Sequence, residues 1–179
     1  MAALSSSCSF IFLLLLLLVL FTSPPAALAR RTRFLHLNFY LHEINLGVPN
    51  STMIFVVNEN RSNGFGDVVV YDNVFRAGVS PDSPLLGREQ GLGVGSNLQV
   101  YSGLTALEFF FTTGRYNGSS FAVFGRVPAG GISDRTIIGG TGRFRMARGY
   151  ILGSVAATTN TTTTWEMNAY IAAHRRPRH

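Results

Sequence analysis

The stretch L-H-L-N-F-Y-L-H-E, residues 35–43, decides the fold because apolar and polar side chains alternate along it. Its odd positions are leucine or phenylalanine until Glu43, whereas its even positions are histidine, asparagine or tyrosine. Side chains that alternate with a period of two lie on opposite faces of a β-strand. The stretch is therefore predicted to be a strand with one apolar face, and that face ends in Glu43.

The same alternation recurs along the rest of the chain, where clusters of glycine, asparagine and serine interrupt it. This pattern is typical of an all-β domain, and no segment has the period of a long amphipathic helix. About eight antiparallel strands with short turns suit a sandwich or a closed barrel, and the succession of hairpins favours an eight-stranded antiparallel β-barrel. The expected strands cover residues 33–44, 51–57, 67–75, 88–101, 105–112, 119–127, 143–154 and 162–173, with 136–138 as a short additional piece.

The first 29 residues have the composition of a secretory signal peptide. The apolar run Phe10–Phe21 is shorter than the roughly 20 residues that a membrane-spanning helix needs, and Ala27 and Ala29 precede the expected cleavage before Arg30. An uncleaved membrane anchor is the alternative. We therefore expect a signal peptide at 1–29, a single β-barrel domain without a membrane segment at 30–173, and a basic, disordered tail at 174–179.

The secreted part of the chain is predicted to be a glycoprotein without disulfides. The single cysteine, Cys8, lies in the signal peptide, so packing alone must stabilise the domain along an oxidising secretory route. Four N-x-S/T sequons lie in polar or turn-like stretches that a glycosylating enzyme can reach. The predicted glycosylation sites are Asn50, Asn60, Asn117 and Asn160.

The positive charge of the chain does not indicate a nucleic-acid-binding protein. The formal net charge is +6 and all 15 basic residues are arginine, but they are spread along the chain without a basic stripe or base-stacking aromatic residues. We expect a solvated, mildly cationic surface and no nucleic-acid partner. Alternatively, Arg175, Arg176 and Arg178 of the tail attract acidic wall polysaccharide nonspecifically.

Glu43 is the first candidate for chemistry. A carboxyl group at the end of an inward-facing row is partly desolvated, which raises its pKa above the unperturbed value of about 4.3 and lets it carry a proton. Alternatively, the strand ends before Glu43 and the side chain reaches water or pairs with an arginine.

His36 and His42 share a strand face without a third ligand nearby, so no metal site and no other cofactor is expected.

Five segments together resemble the motifs of plant dirigent proteins. N-F-Y-L-H-E-I at 38–44 is similar to the F-Y-x-H-D-I motif of that family, and I-G-G-T-G-R-F-R-M-A-R-G-Y at 138–150 is similar to its V-G-G-T-G-x-F-R-x-A-R-G-Y signature. Segments 65–73, 81–91 and 116–119 resemble F-G-x-x-x-V-x-D-[ND], S-x-L-[VI]-G-R-A-Q-G and Y-N-G-S-[ST] in the same order. The resemblance covers nearly the whole chain after the signal peptide.

The resemblance implies an eight-stranded barrel related to allene oxide cyclase, assembled as a homotrimer or homodimer, secreted to the apoplast and holding a pocket inside the barrel. Dirigent proteins do not oxidise their substrate. A laccase or peroxidase makes phenoxy radicals from coniferyl alcohol, and the dirigent protein orients two radicals before they couple into a lignan. The implied partners are a phenolic small molecule and an upstream oxidase, in lignan or lignin metabolism.

Two other functions are compatible with the sequence, so it leaves open whether the chain is an enzyme. Some relatives of dirigent proteins dehydrate isoflavanols to pterocarpans through a quinone methide. Ring closure of the quinone methide needs a proton donor, and a protein that catalyses this reaction is a lyase or cyclase. The third possibility is a noncatalytic, wall-associated barrel that binds a ligand in defence.

The polar pocket residues that the resemblance implies are only partly present. Glu43 stands where the family has an aspartate, but Val127 stands at the position of a second aspartate and Ser133 at that of an arginine. Asp134 and Arg135 adjoin Ser133 and can substitute for the missing arginine if the loop is reshaped. The predicted catalytic residues are Glu43 and Arg135.

The other residues predicted to line the pocket are mostly apolar. Gly93 stands where the family has a tyrosine and leaves the pocket wider, while aromatic rings can stack on a phenolic ligand. The motif arginines Arg88, Arg145 and Arg148 are expected to bond loop carbonyls or Asp72 instead of substrate. The predicted substrate-binding residues are Phe39, Leu41, Phe121, Val127, Ser133, Asp134 and Phe144.

Overall fold

A computed structural model of the chain describes residues 32–174, and the predicted signal peptide and the tail after His174 lie outside them. The described residues form nine β-strands and two short 3-10 turns, Gly114–Tyr116 and Gly142–Phe144. The strands are β1 Thr32–Ile44, β2 Met53–Val57, β3 Val68–Arg76, β4 Leu85–Gly95, β5 Gly103–Phe111, β6 Ser120–Val127, β7 Ser133–Gly140, β8 Arg148–Thr158 and β9 Thr162–His174.

Eight of these strands close into an antiparallel barrel. Strands β3 to β9 pair in sequence order, and β1 pairs with β9 on one side and with β3 on the other. β1 and β2 pair with the same edge of β3, one after the other. Tyr40 of β1 pairs with Arg76 at the end of β3, and Val57 of β2 pairs with Val68 at its start, so β2 continues the course of β1. The predicted all-β fold with an eight-stranded antiparallel barrel is confirmed.

Three strands, β4, β7 and β8, differ from the prediction by at least three residues at one or both ends. β7 is a full barrel strand, although only 136–138 was expected, because its inward residues include Ser133 and Arg135 and hide the apolar alternation. β4 ends at Gly95 instead of continuing to residue 101. β8 begins at Arg148 because the residues before it include the turn Gly142–Phe144.

One end of the barrel is filled by aromatic rings, which we call the aromatic cluster. With few exceptions the buried side chains of the barrel strands have odd numbers, so the alternation seen in β1 extends around the barrel. The rings of Phe109 and Phe121 stack at 5.1 Å between centroids, and Phe75 lies edge-on to Phe111 at 5.0 Å. The members of the cluster are Phe39, Phe75, Phe109, Phe111, Tyr116, Phe121 and Phe144.

Two turns with similar local sequences cap the aromatic cluster. T-G-R-Y at 113–116 and T-G-R-F at 141–144 each form a 3-10 turn that buries its aromatic residue. The rings of Tyr116 and Phe144 lie 4.9 Å apart. Gly142 has φ +55, and a Cβ atom there would lie 2.4 Å from the Ser119 hydroxyl oxygen, so a larger residue would strain this turn.

The outer surface carries the glycosylation sequons and two structural arginines. All four sequon asparagines are exposed and lie outside the strands. Arg88 pairs with Asp72 at 2.8 Å, and Arg148 donates to the carbonyl oxygens of Ile138 and Ala147 at 2.6 and 2.8 Å. These contacts match the structural roles expected for the two arginines.

Between residues 32 and 174 there is no helix of the length and hydrophobicity that crossing a membrane requires.

The aromatic cluster should contribute strongly to stability. We expect Phe121→Ala to lower the free energy of unfolding by about 3 to 5 kcal/mol, because it opens a cavity among rings that are closed off from solvent. Phe124→Ala is the matched control, since Phe124 lies on the same strand with 46% of its surface exposed. Chemical denaturation at one protein concentration measures both changes, and equal losses would contradict the arrangement described above.

Candidate functional site

The end of the barrel away from the aromatic cluster contains a cavity of about 160 Å³. Four ionisable side chains line it: Glu43, Tyr71, Glu89 and Arg135. Apolar residues, among them Leu41, Leu107 and Met167, complete its walls. We call this cavity the inner chamber. Its polar groups come from four different strands, so only the closed barrel brings them together.

Glu89 enters the inner chamber from a stretch of β4 whose other inward positions are glycines. The inward positions of β4 before and after it are glycines 87, 91, 93 and 95. Glycine has no side chain to fill the interior, and it also lets a strand bend tightly around a small barrel. Glu89 is therefore the single side chain that β4 projects into the chamber.

Glu43 lies on the inner face of β1, at the end of the apolar row that contains Leu41. The indole Nε1 of Trp165 donates a hydrogen bond of 2.7 Å to Glu43 Oε2. Burial raises the pKa of Glu43, while this hydrogen bond and the charge of Arg135 oppose the shift. Solvent still reaches part of the side chain, so Glu43 can exchange protons with its surroundings.

Glu89 is held by a short chain of hydrogen bonds. Its side chain is 1% exposed, and Asn73 Nδ2 donates to Glu89 Oε2 at 2.8 Å. The hydroxyl of Thr52 donates to Asn73 Oδ1, which fixes the orientation of the amide. Burial raises the pKa of Glu89 to about 7; the Asn73 hydrogen bond opposes the shift, and the Glu43 charge adds to it. Glu89 can therefore hold a proton near neutral pH.

Arg135 brings positive charge into the same chamber. It is 8% exposed, and Nη1 donates to the hydroxyl of Thr105 at 3.1 Å. Its Nε has no hydrogen-bond partner in the part of the chain that the structure describes. Burial lowers the pKa of the guanidinium, and the nearby carboxyls of Glu89 and Glu43 oppose that effect. A buried cation with an unused donor is suited to an oxyanion such as a phenolate.

Tyr71 occupies the space that Gly93 leaves. A Cβ atom at Gly93 would lie 2.9 Å from the Tyr71 hydroxyl oxygen, so the small residue makes room for that phenol. Burial raises the pKa of Tyr71, and the charges of Glu43 and Glu89 add to the effect. The hydroxyl thus stays protonated and can donate a hydrogen bond to a ligand in the chamber. The neighbouring strand thereby provides a tyrosine hydroxyl next to Gly93.

A second, larger cavity of about 280 Å³ adjoins the inner chamber. We call it the outer chamber. Tyr71, Thr105, Val127 and Trp165 line both cavities, so the two lie side by side. The further walls of the outer chamber are largely apolar and include Val69, Leu104 and Pro128. Together the chambers suit an elongated ligand with one polar end and a more apolar remainder.

The structure separates the residues that were predicted to form the site. Glu43, Arg135, Leu41, Val127 and Ser133 all line the inner chamber. The other four lie elsewhere. Phe39, Phe121 and Phe144 are buried in the aromatic cluster, where they pack on other rings and leave no face for a ligand. Asp134 is exposed on the outer face of β7, because its position alternates with those of Ser133 and Arg135.

Two ionisable residues of the inner chamber were not predicted, although each left a signal in the sequence. Glu89 stands in G-R-E-Q-G, where the quoted dirigent motif has alanine, and Tyr71 lies on the inner side of β3 by its odd number. No cluster of histidine, cysteine, aspartate or glutamate within residues 32–174 is arranged to hold a metal ion.

Comparison with known proteins gives consistent matches. The model of the family described as Dirigent-like protein matches residues 34–172. Dirigent protein 7 of Arabidopsis thaliana is 36% identical over 123 residues, which are 68% of this chain and 66% of that relative. Pterocarpan synthase 1 of Glycine max is 34% identical over 127 residues, 68% of each chain. A solved structure of a pterocarpan synthase dirigent protein has a TM-score of 0.75 at 25% identity, covering 83% of this chain and 90% of that one.

The buried Glu89 should make stability depend on pH. A carboxyl whose pKa is raised on folding favours the folded state fully below its unfolded value of 4.5, and that contribution is lost as the pH rises through about 7. We expect the unfolding free energy of the wild type to fall by about 3 kcal/mol over this range relative to Glu89→Gln. Urea denaturation across the pH range measures the difference.

Glu108→Gln provides the control for this titration, since Glu108 is exposed on the outer face of β5. Its unfolding free energy should follow that of the wild type within about 0.5 kcal/mol at every pH. If Glu89→Gln also ran parallel to the wild type, Glu89 would be ionised in the folded protein.

Proposed function

The chain belongs to the dirigent-like protein family, and we propose that its inner chamber guides a phenolic substrate through a quinone methide by exchanging protons with it. In this proposal the protein is a cyclising lyase of the apoplast. The names of two pterocarpan synthases among its relatives support this choice. The proposal assigns proton transfer to Glu43 and oxyanion stabilisation to Arg135.

The observation that carries the proposal is the enclosure of ionisable groups within one chamber. Glu43, Glu89 and Arg135 all line a cavity of about 160 Å³ that is walled by apolar side chains. Such groups are costly to bury, and binding to a purely apolar ligand would not require them. Proton transfer to a developing charge does require them, and the low dielectric of the chamber strengthens their effect.

The reaction proposed is the loss of water from a phenol that carries a hydroxyl group on a conjugated benzylic carbon. The phenol gives up its proton, the benzylic C–O bond breaks, and the hydroxyl leaves as water after it receives a proton. The product of this step is a neutral quinone methide. A second hydroxyl of the same molecule then adds to the benzylic carbon, its proton is removed, and the carbonyl oxygen is protonated back to a phenol. One water is released overall, and no oxidant is consumed.

The arrangement of the two chambers suits this substrate. The reacting phenol would lie in the inner chamber, where the guanidinium of Arg135 can stabilise its oxygen as negative charge develops. The second ring would lie against the apolar walls of the outer chamber, which adjoins the inner one at Tyr71 and Trp165. Holding both ends fixes the face that the second hydroxyl attacks, and a single stereoisomer results.

Radical coupling of the lignan type is a second candidate function, and the outer chamber favours it. Because that cavity, at about 280 Å³, adjoins the inner chamber, a second phenol could lie beside the first. In this case a laccase or peroxidase generates the phenoxy radicals from coniferyl alcohol outside the barrel. The protein then only orients two radicals and helps the coupled quinone methide to close its ring.

The proposal includes glycosylation, secretion and assembly of the protein. The predicted glycans lie on Asn50, Asn60, Asn117 and Asn160, which are all exposed. Secretion to the apoplast and assembly into a homotrimer or homodimer remain proposals from the family resemblance.

The two candidate functions differ in their need for an oxidant. We expect the purified glycoprotein to convert a 2′-hydroxylated isoflavanol to a ring-closed product of one handedness without any oxidant. Coniferyl alcohol, tested with and without a one-electron oxidant, is the matched assay for coupling. Chiral chromatography of both reactions identifies the function. If only coniferyl alcohol with the oxidant gave a product of one handedness, radical coupling would be favoured. If every reaction gave racemic product or none, only ligand binding would be left as a function.

Glu43→Gln tests the role of the carboxyl in either reaction. The amide keeps the size of the side chain and can still accept the hydrogen bond from Trp165, but it cannot transfer a proton. We expect kcat/KM to fall by about 10²- to 10⁴-fold, the usual contribution of a general acid or base. Far-UV circular dichroism checks the fold, Glu108→Gln should keep full activity, and full activity in Glu43→Gln would remove Glu43 from the mechanism.

A further inference from the structure

The inner chamber contains more acid than its positive charge can neutralise. Two carboxyl groups, Glu43 and Glu89, face one guanidinium, that of Arg135. Tyr71 also faces the chamber, but its raised pKa keeps it uncharged. Asp72 adds negative charge from the outer face of the neighbouring strand, where it pairs with Arg88. An unbalanced carboxylate in a buried cavity is strongly disfavoured, so one of the two glutamates keeps its proton.

The environments of the two glutamates determine which one holds the proton. Glu43 retains contact with solvent and accepts the indole hydrogen bond from Trp165, and both features stabilise its anion. Glu89 is 1% exposed and is surrounded by the interior of the barrel. It accepts one hydrogen bond, from Asn73 to Oε2, and its Oε1 forms none within residues 32–174. Oε1 is therefore available to carry a proton into the chamber.

We propose that Glu89 is a second catalytic residue, the general acid that protonates the leaving hydroxyl, while ionised Glu43 is the base that receives the phenol proton. This inference rests on the proposed lyase function. It assigns different tasks to two residues of the same type, because their environments favour different protonation states. Asn73 and Thr52 are positioning residues, since Asn73 donates to Oε2 of Glu89 and Thr52 orients the Asn73 amide.

This assignment closes the proton cycle without a proton from outside. In the first half, Glu89 protonates the departing hydroxyl and Glu43 takes the phenol proton, so that water and the quinone methide are formed. Glu89 is then ionised and Glu43 is protonated. In the second half, Glu89 takes the proton of the attacking hydroxyl, and Glu43 returns its proton to the carbonyl oxygen. Both carboxyls end in their starting states, and Arg135 balances one negative charge throughout.

A change of leaving group separates a general acid from a structural residue. Glu89→Gln keeps the size of the side chain and an oxygen that can accept from Asn73. We expect it to lower kcat for the benzylic alcohol by about 10²- to 10⁴-fold. With the corresponding acetate ester, whose leaving group departs without protonation, the variant should release acetate in a single turnover at a rate within about tenfold of the wild type, because this step no longer needs the proton of Glu89. Glu43→Gln should remain impaired with both substrates, because loss of the phenol proton is still required.

The outcomes distinguish failure of this inference from failure of the proposed function. If the wild type converts the alcohol and Glu89→Gln does so equally well, or if the acetate ester does not restore release of the leaving group in the variant, Glu89 is not the general acid, although the lyase function stands. If the wild type converts neither substrate, the lyase function fails. In that case the catalytic role of Glu89 fails with it, and infrared spectra at pH 6 test the protonation states alone: a protonated-carboxyl band that disappears in Glu89→Gln supports Glu89 as the glutamate that holds the proton, and its absence from the wild type overturns that assignment.

Discussion

The pairing of β1 with β3 is the constraint on which the rest of the structure depends. Only three residue pairs make it, from Tyr40 with Arg76 to His42 with Val74, yet they convert an open sheet into a closed barrel. Closure removes the free strand edges and assigns one face of every strand to the interior. Because β1 carries Glu43 just beyond this pairing, the same contacts bring that carboxyl to the wall shared with β3.

A small closed barrel must fill its interior, and this chain fills the two ends differently. Seven aromatic rings occupy one end, where two 3-10 turns close it with Tyr116 and Phe144. The other end keeps space and holds charged groups, which are costly to bury. In the described domain, which contains no cysteine, dense ring packing at one end is what can offset that cost at the other. The two ends are therefore parts of a single energetic arrangement.

The sequence predicted the parts of this arrangement that alternation makes visible. The apolar row of β1 identified the inward face and placed Glu43 on it, and the same reasoning gave the all-β fold and the number of barrel strands. It failed where side chains hide the pattern. In β7 the inward row begins with Ser133 and Arg135, so the strand was reduced to a short piece and Asp134 was assigned to the pocket. In β4 the inward positions around Glu89 are glycines, so no row of apolar side chains marks the inner face of this strand in the sequence.

Equivalent positions in a sequence motif need not supply equivalent groups in space. The family resemblance places a second carboxylate at Val127 and a tyrosine at Gly93, and both groups are absent from those positions in this chain. The inner chamber nevertheless contains a second carboxyl and a phenol, because Glu89 enters from β4 and Tyr71 from β3. The motif positions therefore lack two polar groups of the family, whereas the same kinds of group reach the cavity from other strands. In a closed barrel every strand borders the interior, so the chemistry of a pocket depends on the inward row of the whole barrel and not on one motif.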